Sequence, residues 1–429
     1  MSEFAPEGWK NCPIGDVAKL QGGYAFKSSD SAENGTRWLK IANVGKGEVK
    51  WEEQSYLPKH FEKDHSNFLL TEGDSVVALT RPITQGELKV AQIRSSDVPA
   101  LINQRVARVL PKHHLVERDF MYALLRYEAI VRDIEITIFG TDPPNVSTKQ
   151  IEELKINLPP LPEQQKIAAI LTSVDEVIEK TQAQINKLKD LKTGMMQELL
   201  TRGVGVDEKP HTEFKDSPVG RIPKGWEVDK LINLSLYGIK NGTFNDPKKV
   251  GKGYKLINVV NMYRGFGIDV DSLKLLDADE KEFLKNKVEY GDVFFTRSSL
   301  KLEGIAYCNI NLSHDKDITY DGHLMCIRPD CNRILPKYLT YYCLSDFSRK
   351  YFMSAAKHST MTTIGQADIA PLSVSIPPIQ EQQKIVDSID SIESYIRKKR
   401  VKLDKYKSNK KALMQDLLTG KVRVKVDSE

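Results

Sequence analysis

Cysteine is scarce in this chain: five residues in 429, Cys12, Cys308, Cys326, Cys331 and Cys343, with no Cys-x-x-Cys among them. An odd set without that spacing excludes a disulfide framework closed within one chain, and the five read as reduced, partly buried thiols. His314 and His323 stand near Cys308 and Cys326 without a recognised zinc spacing, so buried thiols and loop histidines are favoured over a metal site. No apolar run approaches the ~18 residues that cross a bilayer. Met1 to Glu7 lacks a basic start followed by an apolar stretch, so a cytoplasmic protein with no membrane partner is expected. Charge of one sign is also lacking. Lys+Arg at 63 against Asp+Glu at 58 leaves +5, which permits a polyanionic partner without identifying one.

Signatures of catalysis are missing too. There is no phosphate-binding loop, no His-Glu-x-x-His helix and no Gly-x-Ser-x-Gly elbow. Composition alone does not exclude a Ser/His/Asp triad. Asp142-Pro143-Pro144-Asn145 invites comparison with the tetrapeptide of amino-group DNA methyltransferases, whose fourth residue is an aromatic that stacks on a flipped base. Here that residue is Asn145, no glycine-rich cofactor cradle lies nearby, and a proline turn is the better reading. A binding protein that holds no cofactor is expected.

What is present begins with length. At 429 residues the chain is about three times the ~150 residues of a typical domain, so two or three cores are expected. Hydrophobic residues at 40% and charged residues at 28% are those of a folded globular protein. The decisive feature is an internal repeat. Leu158-Pro-Pro-Leu-Pro-Glu-Gln-Gln-Lys-Ile167 returns later in the chain as Ile376-Pro-Pro-Ile-Gln-Glu-Gln-Gln-Lys-Ile385. The register that sets Leu158 on Ile376 holds without a gap to Thr201 and Thr419, with 18 identities over 44 positions. Fainter echoes precede it: Pro6-Glu7-Gly8-Trp9 with Pro223-Lys224-Gly225-Trp226, and Thr80-Arg81 with Thr296-Arg297. The plan is a globular unit over 1–157, a helix over 158–202, a linker over 203–222, a second globular unit over 223–375, a second helix over 376–421 and a tail over 422–429.

Both helices carry a heptad seam. In the first it runs through Ile167, Leu171, Val174, Ile178, Ile185, Leu188, Met195 and Leu199, with Thr181 and Lys192 as polar interruptions. In the second it runs through Ile385, Ile389, Ile392, Ile396, Leu403, Tyr406, Leu413 and Leu417, interrupted at the same two places by Lys399 and Lys410. Pro159-Pro160 and Pro377-Pro378 stop either helix from extending backwards. A lone amphipathic rod leaves its stripe wet, so the two copies are expected to pair, antiparallel, as a spacer. The alternatives are helices lying separately on their own globular units, or rods that join two copies of the chain.

The globular units read as α+β, with short strands at 75–79, 90–93, 104–109, 291–295 and 323–327 and helical patterns at 119–125 and 336–342. Their polar loops are candidate nucleic-acid surfaces. In the second unit Lys240, Asn241, Lys248, Lys249, Lys252 and Arg264 form one group, with Arg297 and Ser298, and Lys357, His358 and Thr360, as two more. The first unit offers Arg37, Lys40, Arg81 and Thr141. Lysines and backbone amides suit phosphates, whereas arginine and asparagine can pair bidentately with base edges. A solvated surface side chain is the competing reading for each. Arg81 and Arg297 stand apart because both follow a strand at equivalent places in the two copies.

The duplicated Pro-Pro-x-x-Glu-Gln-Gln-Lys-Ile segments, the helix ends Met196-Gln-Glu-Leu-Leu-Thr201 and Met414-Gln-Asp-Leu-Leu-Thr419, and the mid-chain Phe214-Lys-Asp-Ser-Pro-Val-Gly-Arg-Ile-Pro-Lys-Gly-Trp226 together resemble the specificity subunit of type I restriction-modification systems. The resemblance implies two target-recognition domains, each reading half of a bipartite double-stranded DNA sequence, held apart by antiparallel helices. It implies docking of two modification subunits, which use S-adenosylmethionine to methylate adenine, and of restriction subunits, which use ATP and Mg. The chain itself would catalyse nothing. The alternative is a pseudo-symmetric protein scaffold that reads no bases.

Overall fold

A computed structural model describes residues 5–140, 142–205, 209–243, 250–357 and 361–426. The chain divides into two compact units: Met1–Gln182 together with Val401–Glu429, and Ala183–Arg400. The first therefore draws on two separate stretches of sequence and the second on one.

In the first unit an antiparallel sheet runs in the order Ala18–Gly22, Val106–Pro111, Ser75–Ala78, Val90–Gln92. A three-stranded sheet, Tyr56–Leu57, Thr36–Leu39, Ala100–Ile102, lies in the same unit, its last pair parallel. Every residue of Ser75–Ala78 is buried, as in a strand covered on both faces. The second unit repeats this plan. Its four-stranded sheet is Ser235–Asn241, Leu324–Pro329, Val293–Thr296, Cys308–Ile310, and its three-stranded sheet is Lys274–Leu276, Val250–Ile257, Ile318–Tyr320, again with the last pair parallel. The strand order is duplicated although few side chains are shared. Strand starts fall close to the sequence pattern; the strand read over 104–109 is Val106–Pro111, which leaves Gln104 and Arg105 in the preceding turn.

The long helices span Leu161–Arg202 and Ile379–Leu418. At 1.5 Å per residue the first is roughly 63 Å long. They pack against each other within each unit. The first unit's core joins Ile167 and Leu171 to Leu417 and Leu418, while the second joins Met196 and Leu200 to Ile385 and Ile389. Each core thus contains the start of one helix and the end of the other, which requires an antiparallel pair. No seam residue is exposed.

The polar interruptions of the seam are paired. In the second unit Lys192 reaches Glu393 at 2.6 Å and Lys399 reaches Gln184 at 2.8 Å. In the first unit Lys410, only 8% exposed, is held by both oxygens of Asp175 at 2.5 and 2.6 Å. The register of the repeat sets Lys192 on Lys410 and Asp175 on Glu393, so the second ion pair is the first with its partners exchanged between helices. Burial, then the neighbouring Arg126 charge, lowers the Lys410 pKa, against the raising effect of Asp175. Such a pair adds little net stability, but an apolar seam alone would slide more easily; the charges fix the register.

The repeated Glu-Gln-Gln sequence has a structural reason. Glu163 is buried and accepts from the Trp9 indole at 3.1 Å, and Glu381 accepts from the Trp226 indole at 2.9 Å. The next residue, Gln164 or Gln382, is fully buried. Its amide donates to the carbonyl of Pro159 or Pro377 at 2.8 Å in both copies, and to Leu115 or Arg333 at 3.0 Å. Its carbonyl accepts from the backbone of Glu117 or Leu335 at 2.8 Å. The third residue, Gln165 or Gln383, is exposed. Thus the first two residues of the motif tie each globular unit to the head of its helix.

Segments that follow the helices complete these sites. Arg423 grips Glu163 with two bonds, at 2.7 and 2.8 Å, whereas Glu381 accepts from the amides of Val204 and Gly205 and from His211. Burial raises the pKa of Glu381, but the bonds from His211, Gly205 and Trp226 outweigh it and leave the carboxyl below its ordinary range. A folded pKa below the unfolded value of about 4.3 means that this stabilisation is present above that pH and is lost as pH falls through the folded pKa. Glu381→Gln should cost about 1–3 kcal/mol near neutral pH, because His211 and two amides lose an anionic acceptor. It should also flatten the acid limb of the stability profile below about pH 4.3, as read by urea unfolding at a series of pH values.

Candidate nucleic-acid interface

In each unit a glycine lets the end of the first sheet strand lie against a turn. A Cβ on Gly23 would stand 2.3–2.5 Å from backbone atoms of Ile102 and Asn103, and one on Gly242 would stand 2.2–2.7 Å from those of Tyr320 and Asp321. Only glycine permits so close an approach. The turns held this way, Asn103-Gln104-Arg105 and Asp321-Gly322-His323, are equivalent in the repeat.

Arg81 and Arg297 project beside them. Thr80 and Thr296, each just before its arginine, are buried. Arg81 is exposed, has φ 46°, and donates its amide to the carbonyl of Pro144 at 2.7 Å, while Leu79 donates to the carbonyl of Arg105 at 2.9 Å. The Asp142–Asn145 turn is thereby laid against the arginine, and Asn145 bends its side chain back to the Pro143 carbonyl at 2.8 Å. In the second unit the Arg297 amide donates to the carbonyl of His323 at 2.9 Å, and its guanidinium donates to that of Gly322 at 3.0 Å. Ser298 pairs with Thr363, whose carbonyl accepts from the amide of Lys357 at 2.8 Å. So the structure brings together Arg297, Ser298 and Lys357 with the end of the strand carrying Lys240 and Asn241.

Other candidates are engaged elsewhere. The Arg37 guanidinium donates to the Ser96 carbonyl and lies 5.0 Å from the centroid of the Trp51 ring. The ammonium of Lys40 is 3.8 Å from the Trp38 ring centroid and donates to the Ser55 hydroxyl at 3.0 Å. Lys252 pairs with Asp277 at 3.0 Å, and Arg264 donates to the Ser272 hydroxyl at 2.9 Å. Thr141, Lys248, Lys249, His358 and Thr360 lie outside the described residues.

Residues that the sequence reading missed complete the surface. Gln104 and Arg105 are exposed on the turn beside Arg81, and His323 occupies the equivalent place beside Arg297, its ring bonded to Asp321 at 2.8 Å. Their signal was the register that sets Leu158 on Ile376, carried back into the globular units, where it lays Arg105 on His323. Tyr237, 62% exposed, has the Lys240 ammonium at 5.2 Å and the Arg328 guanidinium at 5.9 Å from its ring centroid. Arg328 is anchored by two bonds to Asp292, at 2.7 and 2.8 Å; burial nevertheless raises the pKa of that carboxyl. An exposed ring flanked by two cations, of which Arg328 is fixed by Asp292, suits stacking on a base or packing against a sugar-phosphate backbone.

Three of the five cysteines behave as packing groups, while Cys331 is exposed. Cys308, Cys326 and Cys343 are buried, and burial pushes the thiols of Cys308 and Cys326 well up. Among the described residues no three His, Cys, Asp or Glu side chains are grouped to hold a metal.

Comparison with known proteins identifies the repeated unit. The profile of the type I restriction modification DNA specificity domain matches twice, over 6–190 and 223–404. The type I restriction enzyme MjaVIII specificity subunit of Methanocaldococcus jannaschii is 35% identical over 201 residues, 47% of each chain. The EcoAI specificity subunit of Escherichia coli is 35% identical over 184 residues, 43% of this chain and 30% of that one, so the chain spans half or less of the length of these two relatives. The putative MjaX specificity subunit of M. jannaschii is 24% identical across 98% of this chain and 95% of its own. Among solved structures, the type I restriction-modification system S subunit from M. genitalium superposes with a TM-score of 0.57 at 14% identity, covering 97% of both chains, a likeness of fold alone. With both copies matched and most of the chain covered, the protein belongs to the type I restriction modification DNA specificity family.

Proposed function

We propose that the chain reads a bipartite, asymmetric double-stranded DNA target, one half-site per globular unit, and delivers it to two modification subunits and to restriction subunits docked on the same scaffold. The observation that carries this reading is the duplication of the strand-turn arrangement around Arg81 and Arg297 with different side chains on each copy. Like frameworks with unlike tips suit two different half-sites. The target-recognition domains correspond to 1–157 and 223–375, and the helices over 158–202 and 376–421 set the interval between half-sites. In this reading S-adenosylmethionine, ATP and Mg act in the partner subunits, and this chain supplies recognition. Arg81, Arg105 and Arg297 offer guanidinium forks to base edges, and Ser298, Lys357, Lys240 and Asn241 serve phosphates and bases around Arg297.

Selection from a randomised duplex pool, with modification subunits present and at several salt concentrations, tests the proposal. Enrichment of a gapped motif supports it, whereas strong assembly with no enriched motif would indicate a protein scaffold. Removing one heptad from each helix shortens the pair by about 10 Å, so the gap in the selected motif should fall by about three base pairs. Arg81→Ala should relax one half-site and leave the other, at a cost of about 1–3 kcal/mol for the cognate base. An equal loss on unrelated DNA would assign Arg81 to a phosphate.

A further inference from the structure

The first unit contains a crevice of about 930 Å³ whose cationic lining the second unit's sequence reproduces only in part. One wall is the 83–88 hairpin that follows Arg81, another is the helix Glu128–Thr137, and the third is the last third of the second long helix. Six cations line it: Lys46, Arg126, Arg132, Lys407, Lys410 and Lys411. Three carboxylates answer them. Asp175 takes Arg126 at 3.1 Å as well as Lys410, Glu128 takes Lys411 at 2.9 Å and Arg132 at 3.8 Å, and Glu87 takes Lys46 at 3.7 Å. That leaves an excess of three positive charges. Lys407, Lys411 and Arg132 are exposed at the mouth, whereas Arg126 and Lys410 are part of the framework beneath.

The repeat supplies an internal control. In the register that sets Leu158 on Ile376, Arg126 falls on Leu344 and Lys411 on Thr193, so two of the six cations have uncharged counterparts. Lys189 and Lys350 stand where Lys407 and Arg132 would be. A surface needed equally by two identical partners would be kept whole in both copies; this one is kept only in part, since the second copy lacks the counterparts of Arg126 and Lys411. It adjoins the hairpin that continues from Arg81, it is rich in lysine, and it is concave, which matches the convex ridge of a phosphodiester strand.

We propose that this crevice is a sequence-independent phosphate site, in which Lys407, Lys411 and Arg132 hold the DNA backbone next to the half-site read by the first unit. The inference rests on the DNA-reading function proposed above. It makes the two halves of the target unequal in their non-specific contribution to affinity.

The triple variant Lys407→Ala, Lys411→Ala, Arg132→Ala tests it in the complex with modification subunits. These side chains are exposed, and an unchanged thermal midpoint verifies the fold. Each phosphate contact contributes about 0.9 to the slope of log affinity against log salt concentration, so the slope should fall by about 2–3 on cognate and unrelated duplexes alike, with the selected motif unchanged. The paired substitution Lys189→Ala, Lys350→Ala should change the slope by less than one. A wild-type slope in the triple variant overturns the proposal; if assembly with modification subunits is lost at the same time, the crevice belongs to an acidic protein segment. Failure of the wild-type complex to enrich any motif would instead remove the recognition reading itself.

Discussion

An indole N–H aimed at a buried carboxylate anchors each half of this protein. Trp9 on Glu163 and Trp226 on Glu381 join the first residues of a globular unit to the first turn of a long helix, and both carboxylates are buried. A buried anion demands a full set of donors. The two copies meet the demand differently, one with the guanidinium of Arg423 and the other with two backbone amides and His211. The motif is thus fixed where geometry is shared, and the donors that complete it are free to vary.

The helix pair follows the same logic at a larger scale. Its apolar seam supplies adhesion without position, since leucine and isoleucine tolerate sliding. Lysine on acid, once in each unit and with helices exchanged, selects one alignment. Each globular unit is thereby tied to a defined position on the helix segments packed within it.

Much of this was legible in the sequence. The constant offset between Leu158–Thr201 and Ile376–Thr419 exposed the duplication, the heptads exposed both rods, and the proline pairs marked their starts. The α+β character of the units was also visible in their strand patterns. Side-chain duty was less so, because charge type alone does not say whether a neighbour is protein or solvent. Arg37 and Lys40 resembled free cations, yet Arg37 lies by the ring of Trp51, beyond the strand, and Lys40 by that of Trp38, within the strand it follows. Gln104 and Arg105 were hidden by a strand assignment that began too early. The buried role of Glu163 and Gln164 was invisible for a different reason: two polar residues at the head of an exposed-looking helix give no periodic signal that they face inward.

The division of the chain also has a bearing on how the protein is made. The second unit is continuous from Ala183 to Arg400, but the core of the first includes Met414, Leu417 and Leu418, and its buried glutamate is held by Arg423. During synthesis from the amino end, the part translated first must therefore wait with apolar surface uncovered until the segment beyond Val401 leaves the ribosome. The later unit can close before the earlier one, and the earlier one is the more exposed to proteases and to mispairing with other nascent chains in the interval.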